Sequence, residues 1–165
     1  MIRIVFMFSL VTLLISGCDA GDAQREFQEA AALPPSGIFR TMDGVNAIDG
    51  ENDPDDWRTA PVYAGRFLVS RRAYPNPAGI SDVVTIEVRV TGFNVVPGGI
   101  RVVGYTENNR RVVLEEDLTA TSDGVYAFTF FGGDLIGSSP TGLRRIIIFD
   151  GQFGVMSYGD LQLTD

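Results

Sequence analysis

The 165-residue chain contains no histidine and no lysine, one cysteine and one tryptophan. Without histidine it lacks the side chain that most often serves as a general base at neutral pH and most often ligates metals. A single cysteine excludes an internal disulfide framework. All thirteen basic residues are arginine, set against twenty-one Asp and Glu, and the formal net charge is −8. A surface of that sign repels phosphate backbones, so nucleic acid is not an expected partner. There is also no Gly-x-Ser-x-Gly elbow, phosphate-binding loop or histidine metal motif, which favours a protein that is not an enzyme.

Long apolar runs are scarce too. The one that stands out, Ile4 to Ile15, follows Arg3 and ends at the small residues Ser16 and Gly17, which is the layout of a secretory signal peptide over residues 1–17. It falls short of the roughly 20 apolar residues that a spanning helix needs. The tetrad Ile15-Ser16-Gly17-Cys18 resembles the lipobox of bacterial lipoproteins, with Ile at a position usually held by Leu. That resemblance implies cleavage before Cys18 and diacylation of its thiol, which would make the membrane a partner through the lipid and leave no thiol for catalysis or metal binding. Asp19 resembles the signal that retains some of these lipoproteins at the inner membrane. Other bacteria read that position differently, so the membrane and leaflet stay open.

Residues 18–36 read as a lipidated N-terminus followed by a flexible tether: a polar start, an Ala-rich piece Gln24 to Leu33, then Pro34-Pro35. Fully extended, such a tether reaches up to about 60 Å at about 3.3 to 3.6 Å per residue. The Ala-rich piece has Asp22 as a candidate N-cap, but isolated helices shorter than about 12 residues are marginal in water.

Residues 37–165 read as an all-β domain, an immunoglobulin-like or related antiparallel β-sandwich, because short β-type runs alternate with Gly, Pro, Asn and Asp. Val84 to Val90 alternates strictly and predicts a half-buried strand. Ile100 to Thr106 and Arg111 to Glu115 form a hairpin around Glu107-Asn108-Asn109-Arg110, since Asn tolerates the positive φ of tight turns. Val125 to Phe131 and Ile146 to Phe149 are apolar on both faces, as central strands are. Phe67 to Val69 and Leu161 to Leu163 supply weaker strands. The predicted core includes Ile86, Val88, Phe128, Phe130, Ile146 and Ile148.

Tyr74-Pro75-Asn76-Pro77 before the alternating strand, and Gly124-Val125-Tyr126 further on, resemble segments of the C-terminal sorting domain of type IX secretion cargo. The chain continues from Tyr126 to Asp165 where that family ends soon after, and such cargo is not usually lipidated. The resemblance therefore implies an immunoglobulin-like sandwich from Tyr74 onward, not a sorting role. Pro75 and Pro77 cannot donate to a ladder, so this segment belongs at a turn or an edge.

The densest polar cluster runs from Asp49 to Asp56. Its alternate carboxylates, Asp49, Glu51, Asp53 and Asp55, could converge on calcium. An EF-hand loop counted from Asp49 would place Gly and Glu where this chain has Pro54 and Ala60; a solvated acidic loop is the simpler reading. Ala47-Ile48-Asp49-Gly50 followed by Asp56-Trp57-Arg58-Thr59-Ala60-Pro61 resembles the opening of some carbohydrate-binding sandwiches. Trp57 then either stacks on a sugar or, as favoured here, plugs one end of the sandwich. Glu115 and Glu116 could serve as an acid–base pair, although neighbouring strand residues point to opposite faces. The arginine pairs at 71/72, 110/111 and 144/145 read as partners for nearby carboxylates.

These readings describe a membrane-anchored envelope lipoprotein acting as a structural or protein-interaction module, with no resident cofactor and an envelope protein or glycan as its partner. The alternative is a carbohydrate- or calcium-binding module at residues 49–57, and a carboxylate-based hydrolase comes third. The preferred contact surface is the loop from Asp49 to Trp57.

Overall fold

A computed structural model describes residues 19–48 and 52–165. Residues 1–18, where a signal peptide and a lipobox ending at Cys18 are expected, and Asp49, Gly50 and Glu51 lie outside the described residues.

Two sheets face each other across one core, giving the expected all-β sandwich-like fold. The three-stranded sheet has the order β1 (Phe67–Tyr74), β3 (Val83–Val90), β6 (Gly124–Phe131). The five-stranded sheet has the order β2 (Ala78–Gly79), β8 (Val155–Thr164), β7 (Gly142–Asp150), β4 (Ile100–Tyr105), β5 (Arg111–Asp117). Strict alternation makes β3 the plainest strand: Val84, Ile86, Val88 and Val90 face the core while Arg89 is exposed. All six predicted core residues, Ile86, Val88, Phe128, Phe130, Ile146 and Ile148, are buried.

β4 and β5 pair as the expected antiparallel hairpin. Asn109 supplies the positive φ (57°), and the Asn109 N–H donates to Thr106 O at 2.8 Å. β7 is central, as expected for a run that is apolar on both faces. The other such run is not: β6 pairs only with β3 and forms an edge, with Val125 and Phe131 more than half exposed. Its apolar outward residues meet no covering layer, so apolarity alone did not mark a central strand.

β8 is far longer than Leu161 to Leu163 and is buried from Val155 to Leu161 despite Ser157, Gly159 and Asp160. Its free edge is closed by four devices in succession. The Trp57 and Ala60 N–H groups donate to Tyr158 O (2.7 Å) and Met156 O (2.8 Å). The Asp56 carboxylate accepts the Asp160 N–H at 3.0 Å. The Asn76 side chain then acts as a strand residue, donating to Asp160 O (2.9 Å) and accepting the Gln162 N–H (3.0 Å). Beyond it β2 pairs in parallel with Leu163 and Thr164. Tyr74 to Pro77 therefore lies at a sheet edge, where residues that cannot extend a ladder belong.

The segment expected as a flexible tether is instead a helix, α1 (Asp19–Ala31), packed on the five-stranded sheet. Asp22 lies inside its first turn rather than at its N-cap. Ala23, Gln24, Phe27, Ala30 and Ala31 form its partly or fully buried stripe, at the i, i+4, i+7, i+8 spacing of an amphipathic helix. Tertiary contact supplies what a short isolated helix lacks: the Phe27 and Tyr158 ring centroids lie 5.1 Å apart, and Arg58 stands 5.9 Å over the Phe27 ring.

Candidate functional site

The acidic loop does not gather its carboxylates. Asp53 accepts the Asp55 N–H (2.9 Å) and the Ser36 hydroxyl (3.4 Å), whereas Asp55 faces Arg58 at 3.4 Å. Asp56 turns inward to the Phe39 N–H (3.0 Å) and to β8. No three acidic or cysteine side chains converge on a metal-sized space among the described residues, and Asp49 and Glu51 fall outside them.

Trp57 is a plug. It sits at φ 66° with only 5% of its surface exposed, and its ring covers Gly159 so closely that a Cβ there would come within 2.2 Å of Cε2. It offers no face to a sugar, and its indole N–H is buried without a partner among the described residues. The preferred contact surface from Asp49 to Trp57 thus loses its aromatic.

What these segments build instead is a buried polar network. Arg145 on β7 and Asp160 on β8 form an ion pair (Nε to Oδ1 2.5 Å) with both side chains almost fully buried. Arg145 also donates to Ala30 O and Ala31 O, each at 3.2 Å, and to Pro34 O at 3.4 Å. A cation therefore meets the carbonyls at the C-terminus of α1, where the helix dipole favours it. Asp160 Oδ2 accepts the Ser36 N–H at 2.9 Å. Burial pushes the Asp56 carboxyl up to about 8, helped by the negative charges of Asp160 and Asp53, against the opposing pull of the Phe39 and Asp160 N–H groups. One cation thus fastens helix, linker and sheet together.

Beside this network lies a groove of about 750 Å³ between the end of α1 and the outward face of β4 and β7. Leu33, Pro34, Leu143, Ile147 and Phe149 give it apolar walls, and Tyr105 adds a hydroxyl. Pockets of this size and character are ordinary ligand sites. Glu107 at its rim is held by the Ser139 N–H (2.8 Å), the Ser138 hydroxyl (2.7 Å) and Arg144 (3.2 Å). The Ser138 hydroxyl and these backbone amides bring its carboxyl down to about 2. It is a structural anion rather than a proton donor.

The remaining sequence candidates are spread apart. Glu116 pairs with Arg101 at 2.7 Å on the outward face, while Glu115 accepts the Thr129 N–H and so latches β5 to the free edge of β6. The two carboxylates do not face one another as an acid and base would. Arg71, Arg144 and Arg145 sit on Glu87, Glu107 and Asp160 as expected, whereas Arg72 stacks over Phe39 (3.9 Å), Arg110 donates to Ile136 O (3.2 Å) and Arg111 lies over Phe153 (5.0 Å). The groove was missed in the sequence because it needs the docked helix as a wall; the apolar stripe through Ala23, Phe27 and Ala31 was the available signal. No protein-family model matches the chain, and no curated protein matches it in sequence.

Proposed function

We propose that this chain is an exported lipoprotein, anchored through diacylated Cys18 in the bacterial envelope, and that its sandwich binds an envelope component instead of catalysing a reaction. The observation that carries the reading is the placement of the only cysteine at the end of the apolar run, in Ile15-Ser16-Gly17-Cys18. A diacyl chain suffices for stable anchoring where a single acyl chain gives only marginal binding. No helix among the described residues is long and apolar enough to cross a membrane, so the lipid is the attachment this reading calls on.

The groove beside α1 replaces the acidic loop as the preferred contact surface, because it combines apolar walls with a polar rim on a rigid sheet. Support comes also from the acidic side chains, which are spent on Arg side chains and backbone amides in place of a shared reaction centre. The test is metabolic labelling with palmitate. Wild type should carry the label in the membrane fraction, and Cys18→Ser should lose it and either become soluble or accumulate as precursor. An unlabelled wild type, or a labelled Cys18→Ser, would refute the anchor.

A further inference from the structure

The course of α1 fixes which end of the sandwich faces the anchor. Gln24 donates to Val155 O (3.4 Å) and accepts the Val62 N–H (3.4 Å), Phe27 meets Tyr158, and Ala30 and Ala31 meet Arg145. The helix therefore runs parallel to β8 and begins at the end where β8 begins. Asp19 lies five residues before Gln24, about 7.5 Å further out at 1.5 Å per residue. The same end carries the loop joining β3 to β4, the turn joining β7 to β8, and the 3₁₀ turn Pro61–Tyr63.

That β3–β4 loop is braced along its length. The Thr91 N–H donates to Arg66 O (2.8 Å), Gly92 N–H to Asp123 (2.5 Å), Asn94 N–H to Ser122 Oγ (2.8 Å) and Val96 N–H to Thr121 O (3.1 Å). Between Gly92 (φ 111°) and Asn94 (φ 51°), Phe93 stands 92% exposed. A fixed backbone thus presents one bare aromatic ring. Leu118 and Val62, about half exposed, lie at this end as well. Three of its carboxylates hold protein groups, Asp123 the Gly92 N–H, Asp117 the Thr119 N–H and hydroxyl, and Asp150 the Tyr63 hydroxyl, while exposed Asp22 at the start of α1 faces Arg25 at 3.1 Å.

We propose that this end of the sandwich rests on the lipid bilayer and that Phe93 inserts at the boundary of headgroups and acyl chains. The proposal rests on the lipid-anchor reading, because the anchor is what selects a bilayer as the occupant. Cys18 directly precedes α1, and α1 is fastened to the sheet by Arg145, so the lipid and Phe93 leave the body on the same side. Aromatic and aliphatic side chains seated in the interface add to an acyl anchor.

The test uses the full chain, purified from membranes and placed in vesicles of phosphatidylethanolamine with brominated phosphatidylcholine. Phe93→Trp should emit at shorter wavelength than in detergent-free buffer and be quenched by the brominated chains. Phe131→Trp, 56% exposed at the opposite end of β6 where it pairs with Val83, should not be quenched, and buried Trp57 supplies the same background in every variant. Palmitate-labelled Phe93→Trp that escapes quenching, or equal quenching at 93 and 131, would overturn the docking while leaving the anchor standing. An unlabelled chain would overturn the anchor, and the docking with it.

Discussion

The outward faces of the two sheets differ sharply. On the three-stranded sheet, Arg89, Val125, Ala127, Thr129 and Phe131 all lie in solvent. On the five-stranded sheet, Val103, Arg145, Ile147 and Tyr158 point outward and are nonetheless buried. Two layers cover them: α1 lies over the β8 side, and Phe153, held between Arg101 (4.8 Å) and Arg111 (5.0 Å), covers the β4 side. The groove lies between. Covering a sheet unequally thus creates both a docked helix and a concave surface from a fold whose inner faces are ordinary.

If the network under α1 secures the covered face, breaking it should cost as much as opening the core. Asp160→Ala leaves the Arg145 guanidinium buried and unpaired, and should destabilise by about 3 to 5 kcal/mol in urea unfolding. Phe128→Ala, on the shared inner face, should cost a similar 3 to 5 kcal/mol through the cavity it leaves. A much smaller loss for Asp160→Ala would mean that the helix is only loosely held. Gly159→Ala drives a methyl into the Trp57 ring, and should cost about 1 to 3 kcal/mol by overpacking, measured as a lower Tm with the Trp57 emission shifted.

The Asp56 carboxyl sharpens the comparison through pH. Its folded pKa of about 8 lies above the ordinary aspartate value of 3.8, so between those values the folded state binds a proton that the unfolded state has released. Its contribution to stability is therefore fully present below about pH 4 and lost as pH rises through 8, with a slope of at most about 1.4 kcal/mol per pH unit. Asp56→Asn should flatten that slope in urea titrations across the window, whereas an unchanged slope would assign it to another group. On the bare face Val125→Thr should shift stability by no more than about 0.5 kcal/mol, and a larger loss would reveal a covering layer there.

Much of this division was legible in the sequence and part was not, for physical reasons. The alternation of β3 and the six core residues report a local two-residue period, which packing preserves, and the hairpin turn reports the positive φ that Asn109 adopts. β8 hid itself because its polar positions are satisfied by distant groups: Asp160 by Arg145 and Ser36, and the space over Gly159 by Trp57. The helix was misread as a tether because its length was judged in isolation, while its stability comes from Phe27 on Tyr158 and from Arg145 at its C-terminus. At the candidate site, the turned-in Trp57 matched the plug reading. The groove was invisible until α1 supplied a wall.

The central claim is that α1 belongs to the fold, so that the proposed anchor on Cys18 would be held rigidly against the sandwich. Amide hydrogen exchange on the full chain tests it directly: the amides of Arg25 to Ala32 should be protected to an extent approaching those of β8, since fastened elements open only with the body. Exchange of those amides at the rate of an isolated short helix, with β8 still protected, would contradict the account and return residues 18–36 to the role of a flexible tether.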